Sequence, residues 1–179
     1  MKLRDIFKMN SSNDGTRSLL ESVAVPEVGQ ALKDWIKNSK SAGVLIGGLA
    51  LSFYIKPRTT MDVDYLFLSK DDIPTNVPGF KRTRPGAFQH NRTHVEIEVV
   101  DYTSINIPIS IAEIVTATAA NHGETKVASP SGIVALKLFR ANMRDKADIW
   151  ELAQTCAIDL TPFHLSQDKI DLYNQIVSE

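Results

Sequence analysis

The sequence predicts an α/β protein of the α+β kind, with one sheet of short, closely connected strands followed by a helical last third. Three observations carry that reading. The stretches Thr60 to Leu68 and His94 to Val100 alternate with the period of a strand. Pro85-Gly86 sits between two strand-like runs, as a hairpin turn would. From Ser110 onward the apolar residues recur at helical spacing. The chain has 179 residues, 43% hydrophobic and 23% charged, enough apolar matter for one ordinary core. The expected organisation is a single domain in three stretches: an arm over 1–25, a core over 26–109 and a helical part over 110–179 packed on that core.

The elements follow in order. Residues 1–25 mix charges, Ser, Asn, Asp and Gly with isolated apolar residues, the pattern of a loosely packed arm. Val28, Leu32, Trp35 and Ile36 then repeat at helical spacing, with Pro26 suited to a first turn and the Asn38 to Gly43 stretch suited to the helix end. Val44 to Ile46 reads as a buried strand stopped by Gly47-Gly48, and Leu49 to Tyr54 as a brief helix ended by Pro57. Thr60 to Leu68 is a strand, Phe80 to Gln89 a hairpin, and His94 to Val100 another alternating strand. The predicted remainder is a helix over Ile111 to Ala120, an extended piece over Thr125 to Ala128, a helix from Ser131 to Met143 capped by Ser131, and helices over Asp145 to Thr155 and Ser166 to Val177.

Composition excludes several classes. Lys+Arg 20 against Asp+Glu 21 leaves a net charge of −1, so binding nucleic acid by bulk electrostatics is not expected and any such contact must be local. A lone cysteine, Cys156, forms neither an internal disulfide nor a multi-cysteine zinc site, and it falls on a helical apolar face as a core thiol does. The longest apolar run, Ala42 to Ile55, is broken by glycines and Ser52, and Met1 to Lys8 has no signal-peptide core, so the expectation is a cytoplasmic protein that spans no membrane. Walker-type, G-x-S-x-G and H-E-x-x-H patterns are absent, which removes P-loop, serine-hydrolase and zincin mechanisms.

The chemistry concentrates between Gly47 and Glu98. Asp62 and Asp64 are two residues apart on a strand, so both side chains leave one face and can converge on one hard cation; an exposed strand face carrying two carboxylates is the plainer alternative. A second strand offers Glu96 and Glu98 on one face of its own. Like charges on neighbouring strands repel, and Mg²⁺ is the economical way to neutralise them. Parity permits either glutamate; Glu98, flanked by Ile97 and Val99, is the preferred third carboxylate. Gly47-Gly48 ends a strand and opens a helix, where the missing Cβ lets backbone N–H groups approach a phosphate, or simply makes a tight turn.

Leu45-Ile46-Gly47-Gly48 followed by Arg58, Thr60 and Asp62-Val63-Asp64 resembles the signature of the nucleotidyltransferase superfamily, with its DNA polymerase β-like fold. Val127 through Ser129-Pro130, Leu136-Lys137-Leu138 and Arg144-Asp145-Lys146-Ala147-Asp148 is similar to the small bacterial toxin-type (AbiEii-like) branch. Together these cover about residues 40 to 155. The resemblance implies a mixed, mainly antiparallel sheet with helices around it, two Mg²⁺ ions on Asp62, Asp64 and Glu98, and a nucleoside triphosphate over the Gly47-Gly48 turn. The implied reaction is two-metal nucleotidyl transfer to an acceptor that the sequence does not name: an RNA end such as a tRNA, a protein side chain or a small molecule. It also implies that Lys137 and Asp145 border the site, Lys137 binding the triphosphate; a snorkelling lysine and a helix-dipole aspartate are the structural alternatives. Arg58, next to Thr60, holds a phosphate, braces a carboxylate or makes a structural ion pair. The basic run Lys81, Arg82, Arg84 and Arg92, with His90 and His94, is either a solvated hairpin or a guide for an anionic acceptor. The competing expectation is a catalytically inactive module of the same fold, such as a toxin–antitoxin component with a protein partner.

Overall fold

A computed structural model describes residues 25–40, 43–56 and 60–178. Arg58 and the arm up to residue 24 lie outside the described residues. Helix α1 (Pro26–Ser39) carries Pro26 in its first turn, where the missing N–H costs nothing, and ends on Lys40 in the left-handed conformation. Its apolar stripe buries Val28, Ala31, Leu32 and Trp35, with the Trp35 ring 5.3 Å from both Phe80 and Phe88 and 6.0 Å from Tyr65.

The sheet comprises β1 (Val44–Ile46), β2 (Val63–Phe67), β3 (Phe80–Arg84), β4 (Ala87–His90), β5 (Glu96–Asp101), β6 (Ala120–His122) and β7 (Thr125–Val127). These strands lie in the order β3-β4-β5-β2-β1-β7-β6. Pairing is antiparallel except for β1 with β7 and β2 with β5, so the sheet is mixed and mostly antiparallel. Helices α2 (Gly47–Leu51), α3 (Ile109–Ala117), α4 (Pro130–Arg140), α5 (Met143–Thr155) and α6 (Gln167–Ser178), with short 3-10 turns at Lys70–Asp72 and Thr161–Phe163, complete the order. No described helix is long and apolar enough to cross a membrane.

Several expected boundaries move, each for a local reason. The α4 cap is Ser129, whose side chain accepts from the Gly132 N–H at 3.1 Å, because Pro130 occupies the first turn. Ser131 instead accepts from the Asp159 N–H at 2.9 Å. The same helix stops at Arg140, with Ala141 left-handed, and Met143 opens α5 under an Asn142 cap that accepts from the Asp145 N–H. Expected as the end of a helix, Ala120 is the first residue of β6; the β6-β7 hairpin turns at Gly123, φ 61°, and adds two strands beside β1. The last third is therefore not wholly helical. Helix α2 begins at Gly47 rather than Leu49, and β2 begins at Val63, leaving Asp62 just ahead of the strand.

Candidate functional site

One row of side chains crosses the sheet. By register Arg84 on β3 faces Ala87 on β4, Ala87 faces Glu98 on β5, Glu98 faces Asp64 on β2, and Asp64 faces Ile46 on β1. Register partners point to the same side of a sheet, so Asp64 and Glu98 stand next to each other on one face. The opposite face is the one that α1 covers with Trp35 over Tyr65. Strand β5 alternates strictly: Ile97, Val99 and Asp101 are buried, while Glu96, Glu98 and Val100 are half-buried on the other side.

That face forms the floor of a cleft of about 520 Å³. Gly47, Gly48, Thr60, Asp62, Asp64 and Glu98 line one side, and Lys137 and Arg140 from α4 with Arg144 from α5 line the other. Every residue predicted for the site and described here is on this cleft, except Asp145, which lies directly behind Lys137 and Arg140. Glu96 does not line it. Thr60 donates its hydroxyl to the Asp62 carbonyl at 3.4 Å across the loop entering β2.

The two glycines differ. Gly47 has φ +69°, which favours glycine, and a Cβ there would overlap the Asp64 carboxylate. Its bareness makes room for a protein carboxylate. Gly48 is simply the second residue of α2.

The electrostatics of the two sides contrast. Burial, together with the charges of Glu98 and Asp62, pushes the Asp64 carboxyl up to about 6, against the pull of Arg140 and Lys137. Across the cleft, Lys137 Nζ lies 2.8 Å from Asp145 Oδ1 and 2.7 Å from Asp148 Oδ2. Arg140 donates Nε to Asp145 Oδ2 at 2.6 Å and Nη2 to Oδ1 at 2.7 Å, a bidentate pair. Burial of Asp145 opposes its ionisation, but the hydrogen bonds from Arg140 and Lys137 outweigh it and hold its carboxyl down at about 2. Lys137 is therefore not a snorkelling surface lysine: it lines the cleft, 7% exposed and clamped between two aspartates. Asp145 serves as a counter-ion, while Asn142 caps the helix.

As donors for a cation, Asp62, Asp64 and Glu98 fit Mg²⁺ in kind, all being hard carboxylate oxygens on one cleft. Among the described residues, however, no three such side chains are gathered closely enough to hold a metal as they stand. Glu98 is instead engaged by Arg84, which donates Nη1 to it at 3.2 Å and Nη2 to Glu96 at 2.7 Å.

The basic run divides. Arg84 joins the acidic row, Arg82 lies 6.0 Å from the Phe88 ring centre, and Arg92 pairs with Asp34 at 2.8 Å. His90, 2% exposed, stands 3.2 Å from Asp34 and 2.8 Å from the Thr93 hydroxyl, so it ties β4 to α1. Cys156 follows α5 and is half-buried, its thiol pushed up by burial. Sequence reasoning missed Arg140, although its place three residues after Lys137 puts both on one helix face. Asn106, left-handed at φ 54°, also lines the cleft, and no sequence signal marks it.

Compared with known proteins, the chain matches no family model and no curated protein.

Proposed function

We propose that the protein is a Mg²⁺-dependent nucleotidyltransferase that moves a nucleoside monophosphate from a nucleoside triphosphate to an acceptor hydroxyl or phosphate. One observation carries this reading: Asp62, Asp64 and Glu98 share a cleft with the Gly47-Gly48 turn and face a cationic wall of Lys137, Arg140 and Arg144. Two Mg²⁺ ions held by the carboxylates would lower the pKa of the attacking hydroxyl and neutralise the pyrophosphate as it leaves. In the reaction, the acceptor oxygen bonds to the α-phosphorus while the bond from that phosphorus to the bridging oxygen breaks. Pyrophosphate departs, and the hydroxyl proton passes to water.

The chain's own part is positioning. Arg144, exposed at the start of α5, is the side chain best placed to meet a phosphate from solution. Lys137 and Arg140, fixed by Asp145 and Asp148, which balance their charge, present held N–H donors at the wall with no reorganisation when the substrate arrives, while Arg144 supplies the net positive charge. A cleft of this size admits one nucleotide.

A second reading, an inactive module of the same fold that binds or regulates a partner, is favoured by the engagement of Glu98 with Arg84 and by the ungathered carboxylates. A transfer assay separates the two. The protein is incubated with each of the four triphosphates labelled at the α-phosphorus, with Mg²⁺ and with total RNA or total protein. Label entering one pool, and lost with Asp64→Asn, is the result expected of the enzyme. Label in neither pool with any triphosphate favours the module.

A further inference from the structure

The hairpin β3-β4 contains a register shift. Arg82 faces Phe88 and Arg84 faces Ala87, so two steps along β3 match one along β4, and Thr83 is the extra residue. An unbroken ladder would have put Thr83, not Arg84, opposite Ala87. The bulge re-aims Arg84 into the row that carries Glu98 and Asp64. Ala87, between Arg84 and Glu98 in that row, has only a methyl group, which leaves the carboxylate within reach of the guanidinium. The turn after the bulge is fixed by Gly86, φ +76°, where a Cβ would lie 2.9 Å from the Val99 carbonyl oxygen. The contact that results is Arg84 with Glu98 at 3.2 Å and with Glu96 at 2.7 Å.

We infer that Arg84 is a positioning residue for Glu98: it holds this carboxylate at the outer edge of the acidic row as an internal counter-cation, which a divalent ion bound at Asp62 and Asp64 must displace. The inference rests on the functional reading above and adds to it the group that sets cation affinity. It also accounts for three carboxylates lining one cleft without being gathered. The exchange is feasible because the pair is open to solvent, with the Arg84 and Glu98 side chains 51% and 43% exposed, and such ion pairs are weak. A divalent cation shared by several carboxylates outcompetes a single guanidinium in that setting.

The test is Mn²⁺ binding to the full chain without nucleotide, read by electron paramagnetic resonance of free Mn²⁺, with unfolding curves confirming that each variant is folded. Arg84→Gln should bind Mn²⁺ about threefold more tightly than the wild type, the size expected for loss of one exposed competing ion pair. Arg84→Lys, which keeps a cation near Glu98, should stay close to the wild type. Arg82→Gln, one charge fewer on the same strand but without contact to Glu98, should leave affinity unchanged. Wild-type affinity in Arg84→Gln together with weakened binding in Glu98→Gln would overturn the inference and leave the functional reading standing. Equal tightening in Arg82→Gln and Arg84→Gln would overturn it as a general charge effect. Wild-type binding in both Asp64→Asn and Glu98→Gln would place the cation elsewhere and bring down the functional reading and this inference together.

Discussion

Asp64 and Asp145 feel the same two cations, Lys137 and Arg140, yet they are driven in opposite directions. Asp145 receives both side chains directly, at 2.6 to 2.8 Å, and its carboxyl is held down at about 2. Asp64 receives them only through space, while burial and the charges of Glu98 and Asp62 act against it, and its carboxyl is pushed up to about 6. The difference shows which part of the cleft is complete within the protein. The α4-α5 wall is closed by its own ion pairs, whereas the β2-β5 wall holds carboxylates whose mutual repulsion a bound cation would relieve.

The largest expected effect breaks the closed side. Asp145→Asn removes the shared partner of Lys137 and Arg140 and leaves an imperfectly compensated ammonium at a site 7% exposed, so unfolding free energy should fall by about 3 kcal/mol, measured by urea titration. A loss below about 1 kcal/mol would mean that the network is dispensable.

The next effect concerns pH, and the signs are opposite. The folded-state value for Asp145 lies below the ordinary 3.8, so its contribution is present above pH about 4 and disappears as pH falls toward 2. The folded-state value for Asp64 lies above 3.8, so its ionisation lowers stability as pH rises from about 4 to 6. In protein kept metal-free with a chelator, Asp64→Asn should remove a decline on the order of 2 kcal/mol across that upper window. Asp145→Asn should flatten the lower window instead. Identical profiles for both variants would erase the contrast.

Within the open side, Glu98→Gln should reduce nucleotidyl transfer at least about a hundredfold, the scale on which metal and second-sphere ligands act, and Glu96→Gln only a few-fold, since Glu98 alone lines the cleft. The reverse order would move the third carboxylate to Glu96. The smallest effect is at the turn. Gly47→Ala requires a left-handed alanine and displaces the Asp64 carboxylate, for a loss of about 1 kcal/mol in thermal unfolding and a weaker affinity for Mn²⁺. Unchanged cation affinity in that variant would separate the turn from the carboxylates.

Much of this open side is legible in the sequence. Alternation along Thr60 to Leu68 and His94 to Val100 is a local property, and it puts Asp64, Glu96 and Glu98 on one face of their strands before any pairing is known, whereas Asp62 reaches the cleft from the loop just ahead of β2. Parity alone cannot separate Glu96 from Glu98; the pairing of β2 with β5 does, by setting Glu98 beside Asp64. The reach of Arg84 depends on a bulge between two hairpin strands, a feature of pairing that residue types in FKRTR do not encode visibly. The closed side was half legible. Lys137 and Asp145 stand out in sequence, but their mutual ion pair arises from the turn at Ala141 and Asn142, which folds α5 back on α4. The β6-β7 hairpin was obscured because Ala117 to Ala120 are small residues that extend a helical pattern, while the actual stop is set by Thr118 and by the parallel pairing of β7 with β1.

The most direct test of the contrast is to measure Asp64→Asn twice on one preparation, for nucleotidyl transfer and for unfolding free energy without metal. Loss of transfer by at least about three orders of magnitude is expected, as removal of a metal-liganding carboxylate implies, with stability close to the wild type near pH 4 and higher by on the order of 2 kcal/mol above pH about 6. Full transfer activity in this variant, or a fall in stability as large as that of Asp145→Asn, would contradict that expectation.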